Sequence, residues 1–484
     1  MLAPNLVATL SPSVRPRTLS VICALAIGSG VLAATFSGAL LPLLLALVVL
    51  GLVVLPLARA HARASGYFVA IVVLYGMLIE VSAGQANTAL THRLRLVELV
   101  MLAIAALVAA GLRRRPLPLV LLVTPLLLAL VDVTAFVNVG FARVVLTSGL
   151  NIYLHYFLLA IFVYYSSFGE REMRGLLVTM GAVFLIVAIV ALVQFSTGKL
   201  FTPFVAAGYS VPSRAGAYRA VGFFAWPTEL ANFAGAWFFL FYCRAGRSGR
   251  ALFYSIVCAA LAVIVLASLT RTVLVCITAL VFFIEIRRLS ARARLVVCAA
   301  VVALVAVLAL TYFGGAVRGA SATLASSSRG YYLIQGAKVF EHNPLVGVGF
   351  GRYYQDWSAE NDPGTVSVLD AYKIPKLDPR LSTTDSFLGS LMPEFGLVGA
   401  AVLLAFFLLL VWGGIRGSRT DRVTMGYAWC LVFMALNTAG SSQGLYAPHT
   451  VALWISIGML ARCLHSGESA DGLDGAEITS ASGS

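Results

Sequence analysis

Charged residues are scarce in this sequence. Only 11% of its 484 residues are Asp, Glu, Lys or Arg, and 60% are hydrophobic, whereas a soluble domain carries about 25% charged residues. A chain with so few charges and so much apolar surface does not have the composition of a soluble globular protein. The composition therefore predicts a polytopic membrane protein.

The motifs of several common sites are also missing. The seven cysteines all fall inside or at the ends of apolar runs, so they suggest neither a disulfide framework nor a metal site. The sequence contains no P-loop, no other ATP-binding motif and no clear internal repeat. No small-residue cleavage site separates the first apolar run from the second, which favours an uncleaved first helix over a signal peptide. Any energy for a reaction is expected to come with the substrate or from a gradient.

Fourteen apolar runs reach or approach the roughly 17 to 25 residues that a membrane-spanning helix needs. They cover residues 19–34, 40–57, 67–83, 95–112, 117–137, 151–167, 175–195, 222–243, 251–269, 272–287, 295–313, 397–415, 425–440 and 446–463. The runs predict an all-α integral membrane protein with about 12 to 14 transmembrane helices and one long periplasmic loop that contains short helices.

Basic residues indicate the orientation of these helices. If the N-terminus is cytoplasmic, 20 of the 34 Lys and Arg residues fall in cytoplasmic segments, and every cytoplasmic loop carries at least one. That distribution follows the positive-inside rule, so the net charge of +14 reflects topology rather than nucleic-acid binding. Both termini are expected in the cytoplasm, and the polar segment 314–396 is expected outside.

The chain thus divides into five predicted segments. They are N-terminal transmembrane helices 1–174, transmembrane helices 175–313 with the outer-face residues Arg219 and Arg271, a large periplasmic loop 314–396, C-terminal transmembrane helices 397–465, and a disordered cytoplasmic tail 466–484. Within the loop, a helix is expected from the serines at 326–328 to about Glu341, because serine side chains cap helix N-termini. Asn343-Pro344 ends that helix, and a glycine-rich turn follows.

Three arginines from different segments are predicted to lie near the outer interface: Arg219, Arg271 and Arg329. Arginine stays charged at any working pH and offers a planar pair of donors to phosphate oxygens, so three converging arginines suit a diphosphate. Alternatively, each side chain reaches lipid headgroups or pairs with an acid. Arg271 ends a short segment, Ser268-Leu269-Thr270-Arg271, which predicts a tight joint between two apolar helices at the outer face. It fits this alternative less well, because no acid lies nearby in the sequence.

Candidate acids and bases lie on both sides of the membrane boundary. Asp385 is positioned to accept a proton from an attacking hydroxyl, or to cap the helix that starts at about Ser386. Glu229 lies inside a predicted span, where an acid has either a functional role or a partner on a neighbouring helix. Two other residues complete the set: His342 is an outward candidate base, and Glu394 is a charge near a helix end.

Four motifs in order resemble a known family. They are Arg219-Ala220-Val221-Gly222-Phe223 with Pro227, then Leu269-Thr270-Arg271, then Arg329 with Asn343-Pro344-Leu345-Val346-Gly347-Val348-Gly349, then Thr384-Asp385-Ser386 with Glu394-Phe395-Gly396. Together with the long outer loop, they resemble the O-antigen ligase and polymerase superfamily over residues 175–440.

This resemblance implies a GT-C-type glycosyltransferase of the bacterial inner membrane. Its donor would be an undecaprenyl-diphosphate-linked glycan, used on the periplasmic face without a metal or other cofactor. The resemblance implies that Arg219, Arg271 and Arg329 contact the diphosphate and glycan. Taken with the chemistry of the residues, it predicts Asp385, Arg219 and Arg271 as catalytic. The candidate substrate contacts are Arg329, Arg214, Glu229 and His342. The expected partners are the lipid-linked donor, a glycan acceptor and the bilayer, with no nucleic acid. A chain-length regulator protein is a candidate partner that no residue of the sequence identifies.

Three functions stay open. In the ligase branch, His-Asn stands where this chain has Asp385-Ser386. The chain therefore looks more like the polymerase branch, which joins repeat units of O-antigen, capsule or exopolysaccharide. The first alternative is an O-antigen ligase of lipopolysaccharide biosynthesis, which joins lipid-linked polysaccharide to lipid A core. A lipid-linked oligosaccharide transporter is the second, and it would place ionisable residues near the midplane, where only Glu80, Glu98, Asp132 and Glu229 are candidates.

Overall fold

The computed structural model describes the chain in separate stretches. These are residues 62–84, 88–112, 117, 118, 121, 155–166, 168–199, 213, 214, 217–224, 226–245, 250–286, 290, 328–348, 387–417, 422–438 and 450–466. Several predicted features lie outside them: the runs 19–34, 40–57 and 295–313, nearly all of 117–137, most of the loop 314–396 and nearly all of the tail 466–484.

Eleven α-helices occur in the described stretches. They are α1 Ala62–Gly84, α2 Thr88–Leu112, α3 His155–Tyr165, α4 Glu170–Thr197, α5 Pro227–Tyr242, α6 Ala251–Ser268, α7 Arg271–Ile286, α8 Ser328–His342, α9 Phe387–Gly417, α10 Arg422–Thr438 and α11 Val451–Ser466. Ten of them coincide with predicted spans, and α8 is the short helix predicted in the outer loop. The helical prediction is confirmed for this part of the chain.

Among the described residues, three stretches of helix are long and apolar enough to cross a membrane: Glu170–Thr197, Ala251–Ser268 and Leu391–Ile415. Four shorter apolar helical stretches accompany them, at Ser65–Met77, Val97–Ala110, Tyr156–Tyr165 and Val451–His465. The described part is that of a helical membrane protein, and the total of 12 to 14 spans stays a prediction.

The start of α5 corrects the prediction of a span from residue 222. Residues 222–226 form a turn, and the helix begins at Pro227. Proline suits the first helical position because a backbone N–H at that position has no acceptor within the helix, so its absence from proline costs no hydrogen bond. The all-α prediction is also modified before this turn by a two-residue antiparallel pair, β1 Ser213–Arg214 with β2 Ala217–Tyr218.

Helix α5 lies at the centre of the described bundle. All its residues from Pro227 to Phe241 are buried except Thr228. Phe233 packs its ring against those of Phe184 and Phe224, each with 5.2 Å between ring centroids. A helix that is apolar on all sides has no face for solvent, so it takes the position that neighbours enclose.

Large apolar side chains remain exposed on the outer faces of α4 and α9. Ile186 and Ile189 are exposed on α4, and Leu404, Leu408 and Trp412 on α9. Residues three or four positions apart lie on one helix face, so each set forms a continuous apolar stripe. A stripe of this kind on a membrane-length helix is the surface that lipid tails cover.

Side-chain contacts show which helix ends lie together. Helix α4 begins at Glu170, and Gln194 lies in its last turn. We call the end of the bundle at the start of α4 the Glu170 end and the opposite end the Gln194 end. Arg244, just after α5, binds Glu170, so α5 runs antiparallel to α4. Arg462 of α11 donates to the carbonyl oxygen of Phe168 at the same Glu170 end, at 3.0 Å.

Arg244 forms a buried ion pair at the Glu170 end. Its Nε and one terminal nitrogen donate to the two carboxylate oxygens of Glu170 at 2.8 and 2.7 Å. The same terminal nitrogen donates to the Tyr427 hydroxyl at 2.9 Å, and that hydroxyl donates to Glu170 at 3.1 Å. Burial by itself would lower the pKa of Arg244, but the Glu170 carboxylate raises it above its ordinary value. Arg244 directly follows the predicted span 222–243, and the sequence alone did not indicate this ion pair.

Loss of Arg244 should destabilise the protein strongly. We expect Arg244→Leu to lower the free energy of unfolding by about 3 to 5 kcal/mol, because it leaves the buried Glu170 carboxylate without its ion pair. The double variant Glu170→Leu, Arg244→Leu should recover part of that loss, since neither charge is then buried alone. The free energies of unfolding of wild type, Arg244→Leu and the double variant can be compared by SDS titration in mixed micelles.

Arg174 supplies a matched control. Its Nε lies 3.6 Å from the same Glu170 carboxylate, but its side chain is 53% exposed. Arg174→Leu should therefore cost at most about 1 kcal/mol, since exposed ion pairs contribute little. Two results would contradict the conclusion that the buried Glu170–Arg244 pair contributes most of this stability. One is an equal loss of unfolding free energy in the Arg174→Leu and Arg244→Leu variants. The other is a double variant no more stable than Arg244→Leu.

Candidate functional site at the Gln194 end

Arg219 lies against the joint between α6 and α7. Its Nε donates to the carbonyl oxygen of Ser268 at 3.0 Å, and a terminal nitrogen contacts Thr270 Oγ1 at 3.5 Å. The next residue, Ala220, donates its backbone N–H to the Ala267 carbonyl at 2.9 Å. The last carbonyls of a helix carry partial negative charge, so the end of α6 stabilises the partly exposed Arg219 guanidinium.

The joint at residues 268–271 is tight, as the sequence predicted. Leu269 has φ 51°, the one positive φ among the described residues other than glycine. Ser268 Oγ donates to the Val265 carbonyl at 2.7 Å and accepts from the Thr270 N–H at 3.3 Å. Helix α7 then begins at Arg271, which is exposed. The structure therefore brings Arg219 and Arg271 to one joint, because Arg219 contacts the residue that precedes Arg271.

The start of α5 meets the same joint. Thr270 Oγ1 donates to the carbonyl oxygen of Pro227 at 3.4 Å. The first turns of α5 and α7 thus lie together, and helix N-termini carry partial positive charge. Two helix N-termini beside two arginines make a region that favours an anion.

Glu229 is the buried cap of α5. Its carboxylate accepts the Trp226 N–H at 3.1 Å, three residues earlier, and only 7% of the residue is exposed. This satisfies one of the N–H groups that a helix start leaves without a partner. This contact gives Glu229 a structural role at the start of its own helix. A partner on a neighbouring helix and substrate binding by this residue both stay predictions.

The glycine-rich turn after α8 docks on a kink in α9. Val348 donates its N–H to the Pro393 carbonyl at 2.9 Å, and Leu397 donates to the Pro344 carbonyl at 2.8 Å. The kink is at Gly396, which has φ 63° and ψ −168°. These backbone bonds join the third and fourth motifs of the sequence.

This docked turn lies at the Gln194 end of the bundle. The last residue of α9 is Gly417 and α10 starts at Arg422, close to the Tyr427 contact that marks the Glu170 end. The first part of α9, including Gly396, is therefore at the opposite end. Glu394 is fully buried beside the kink.

The other predicted site residues are only partly described. Arg329 is the second residue of α8, and Arg214 is in β1. His342 ends α8 with an exposed side chain whose Nδ1 lies 2.8 Å from the Lys338 carbonyl. Asp385 lies outside the described residues. The structure therefore brings together Arg219 and Arg271, and the convergence of Arg329 and Asp385 on them stays a prediction.

The predicted deep acids are likewise described only in part. Glu98 is fully buried in α2 and accepts a hydrogen bond from the Tyr156 hydroxyl at 3.4 Å. Asp132 lies outside the described residues, and Glu80 is in α1. Within the described ranges, no group of three His, Cys, Asp or Glu residues could hold a metal ion.

Sequence reasoning missed Gln194, which lies in the last turn of α4. Its amide accepts the N–H groups of Val221 and Gly222 at 3.0 and 2.8 Å and donates to the Gly222 carbonyl at 3.1 Å. The available signal was a polar amide at the end of a long apolar run, where polar side chains usually bond within the protein.

The sequence comparisons support one family. Residues 256–375 match the family model described as O-Antigen ligase. This range contains the joint with Arg271, helix α8 and the turn that docks on α9. A search of curated proteins found no significant match. The matched residues include two of the four motifs named above, the one that ends at Arg271 and the one that begins at Arg329. The resemblance of this chain to the O-antigen ligase and polymerase superfamily is thus confirmed.

Proposed function

We propose that this protein is a membrane glycosyltransferase that polymerises undecaprenyl-diphosphate-linked oligosaccharide repeat units. The observation that carries the proposal is the joint at which Arg219 lies on the end of α6 beside the exposed Arg271. A lipid-linked diphosphate has the charge and shape that planar guanidinium groups and helix N-termini bind. The family match supports this class of chemistry.

In the proposed step, an acceptor sugar hydroxyl attacks the anomeric carbon of the donor glycan. The new carbon–oxygen bond forms as the bond to the diphosphate oxygen breaks, and the electron pair leaves with the diphosphate. Arg219 and Arg271 stabilise the charge that develops on this leaving group. The hydroxyl proton passes to a base, for which we propose Asp385. Attack from the side opposite the diphosphate inverts the anomeric configuration.

We also propose that the Gln194 end faces the periplasm of the bacterial inner membrane. Arg174, Arg244 and Arg462 lie at the Glu170 end, and cytoplasmic ends of membrane proteins are rich in arginine. In this orientation both termini are cytoplasmic. The Arg219 joint and the docked turn of α8 then lie outside, where lipid-linked glycans are used.

A ligase reaction is the second candidate, and the description of the matched family as O-Antigen ligase favours it. The same diphosphate leaves in both reactions, so the Arg219 joint serves either one. The difference is the acceptor, which is a lipid-linked repeat unit for a polymerase and lipid A core for a ligase. Asp385-Ser386, in place of the His-Asn of the ligase branch, is the reason we favour the polymerase.

Glycan gels of a deletion strain distinguish the candidates. We expect deletion to leave single repeat units and no polymer, because no enzyme then extends the lipid-linked chain. Plasmid-borne wild-type protein should restore the polymer. Full-length polymer that accumulates on the lipid carrier without attachment to lipid A core would instead identify a ligase. Unchanged polymer and attachment would contradict both functions, and repeat units trapped on the cytoplasmic face would indicate a transporter.

A further inference from the structure

We infer that Gln194 is the positioning residue that sets the place of Arg219, an inference that rests on the proposed glycosyl transfer. Gln194 does not reach the joint itself. It acts on the chain segment 218–222, from which the Arg219 side chain extends to Ser268 and Thr270.

Both polar groups of the Gln194 side-chain amide form hydrogen bonds with the backbone of the turn at Val221 and Gly222. The oxygen accepts two backbone N–H groups, and the nitrogen donates to the Gly222 carbonyl. Gln194 is fully buried, so these turn groups have no water to replace the amide. A side chain of this length with one acceptor and one donor is needed, and glutamine provides both.

A second contact at the same end of α4 involves Tyr218, the residue that precedes Arg219 in the chain. Gly198, which follows α4, donates its N–H to the Gln194 backbone carbonyl at 2.9 Å. The Tyr218 ring lies so close to Gly198 that an added Cβ would come within 2.5 Å of it. Arg219 therefore lies between two points of attachment to α4, with Tyr218 before it and Val221 after it.

The attachment also limits how Arg219 can move relative to the joint. Ala220 donates to the Ala267 carbonyl at 2.9 Å, so the same segment is fixed to α6 as well as to α4. Release of residues 221 and 222 would leave two buried N–H groups without partners, and the turn would rearrange to satisfy them. A small displacement of a catalytic group is enough to lower a rate, because transition-state stabilisation depends on exact donor placement.

The test compares Gln194→Met with wild type in a purified assay of transfer from a lipid-diphosphate-linked glycan. Methionine keeps the length of the side chain but makes none of the three hydrogen bonds. We expect kcat to fall by about 10- to 100-fold with little change in KM, because the lost contacts position a group that acts in the transition state. Rates are expressed per folded protein, measured by size-exclusion chromatography of the solubilised variant.

A double-mutant cycle separates positioning from general support of the fold. Arg219→Lys keeps a charge but loses the planar pair of donors, so it should retain measurable activity. If Gln194 acts through Arg219, Gln194→Met should cost much less in the Arg219→Lys background than in wild type. Tyr427→Phe, which removes a buried hydrogen bond at the Glu170 end, is the control and should combine additively with Arg219→Lys.

Each outcome of the cycle decides the inference. Additive losses for Gln194→Met and Arg219→Lys, or full activity of Gln194→Met, would overturn it. If the methionine variant does not fold, Gln194→Glu replaces it in the same cycle. A carboxyl oxygen still accepts the two N–H groups but cannot donate to the Gly222 carbonyl, so we expect a smaller fall in kcat that again disappears in the Arg219→Lys background, and an equal fall in both backgrounds would overturn the inference. A wild-type protein without transfer activity would remove the proposed function itself, which is a different result from an active enzyme that does not depend on Gln194.

Discussion

Glycan transfer by the Arg219→Ala variant is expected to fall by about 100- to 1,000-fold, the usual loss when one donor to a developing anion is removed. The diphosphate leaving group gains charge in the transition state, and alanine offers it no donor. Arg219→Lys should recover only part of the rate, because an ammonium group keeps the charge but cannot present the guanidinium's planar pair of donors. The measurement is polymer formed per minute by purified protein from a lipid-linked donor.

Lys199 is the matched control for this prediction. It is an exposed cation at the same Gln194 end, two residues after α4. Lys199→Ala should leave the rate unchanged if the effect of Arg219 depends on its place at the joint. Similar losses in the Lys199 and Arg219 variants would point to general attraction of an anionic substrate, and an active Arg219→Ala protein would remove Arg219 from the mechanism.

Gly396→Ala is expected to undock the turn after α8 from α9. Gly347 and Gly396 both have positive φ, 67° and 63°, and Gly396 combines it with ψ −168°, a backbone region that costs a residue with a side chain about 1 to 3 kcal/mol. A Cβ on Gly396 would also overlap the Leu345 carbonyl, and a Cβ on Gly347 would overlap the Glu394 carbonyl. Neither backbone oxygen can move away without breaking the bonds between the two segments. We therefore expect loss of stability and of transfer activity together, measured by thermal unfolding and by the polymer assay.

Gly175→Ala provides the comparison for this variant. Gly175 is an exposed residue of α4, and an added Cβ there would meet nothing within 4 Å. The substitution should be neutral or slightly stabilising, because alanine favours a helix over glycine by about 1 kcal/mol. Wild-type stability in the Gly396→Ala protein would show that the docked turn contributes little to the fold.

The same two glycines show how far motif reading can go. The sequence predicted a glycine-rich turn after α8 and a transmembrane segment from residue 397. The turn is confirmed at residues 344–348, where Gly347 has a positive φ. The helix already begins at Phe387 and is kinked at Gly396, and the place where the chain enters the membrane stays a prediction. It did not predict that the two segments bond to each other through their backbones. Backbone atoms are the same in every residue, so the sequence carries no direct mark of which carbonyl will meet which N–H.

Arg219 and Gln194 differ in the same way. Arginine stays charged and suits phosphate oxygens, so Arg219 beside an apolar run was already a candidate contact to an anion in the sequence. Gln194 is a single uncharged residue at the end of an apolar run, and its partner turn is 28 residues away. The sequence therefore identified the residue with the charge and missed the residue that holds its segment.

The sequence by itself determined the helical membrane character, the approximate position of most described helices, the tight joint before Arg271 and the resemblance to the O-antigen ligase and polymerase superfamily. These properties follow from the length of apolar runs and from short motifs, which are local. Only the tertiary structure decided that Arg219 lies on the end of α6, that Gln194 holds its segment, and that Arg244 is buried against Glu170. The reason is that these contacts join residues 28 to 74 positions apart, and helix packing alone determines which distant groups meet.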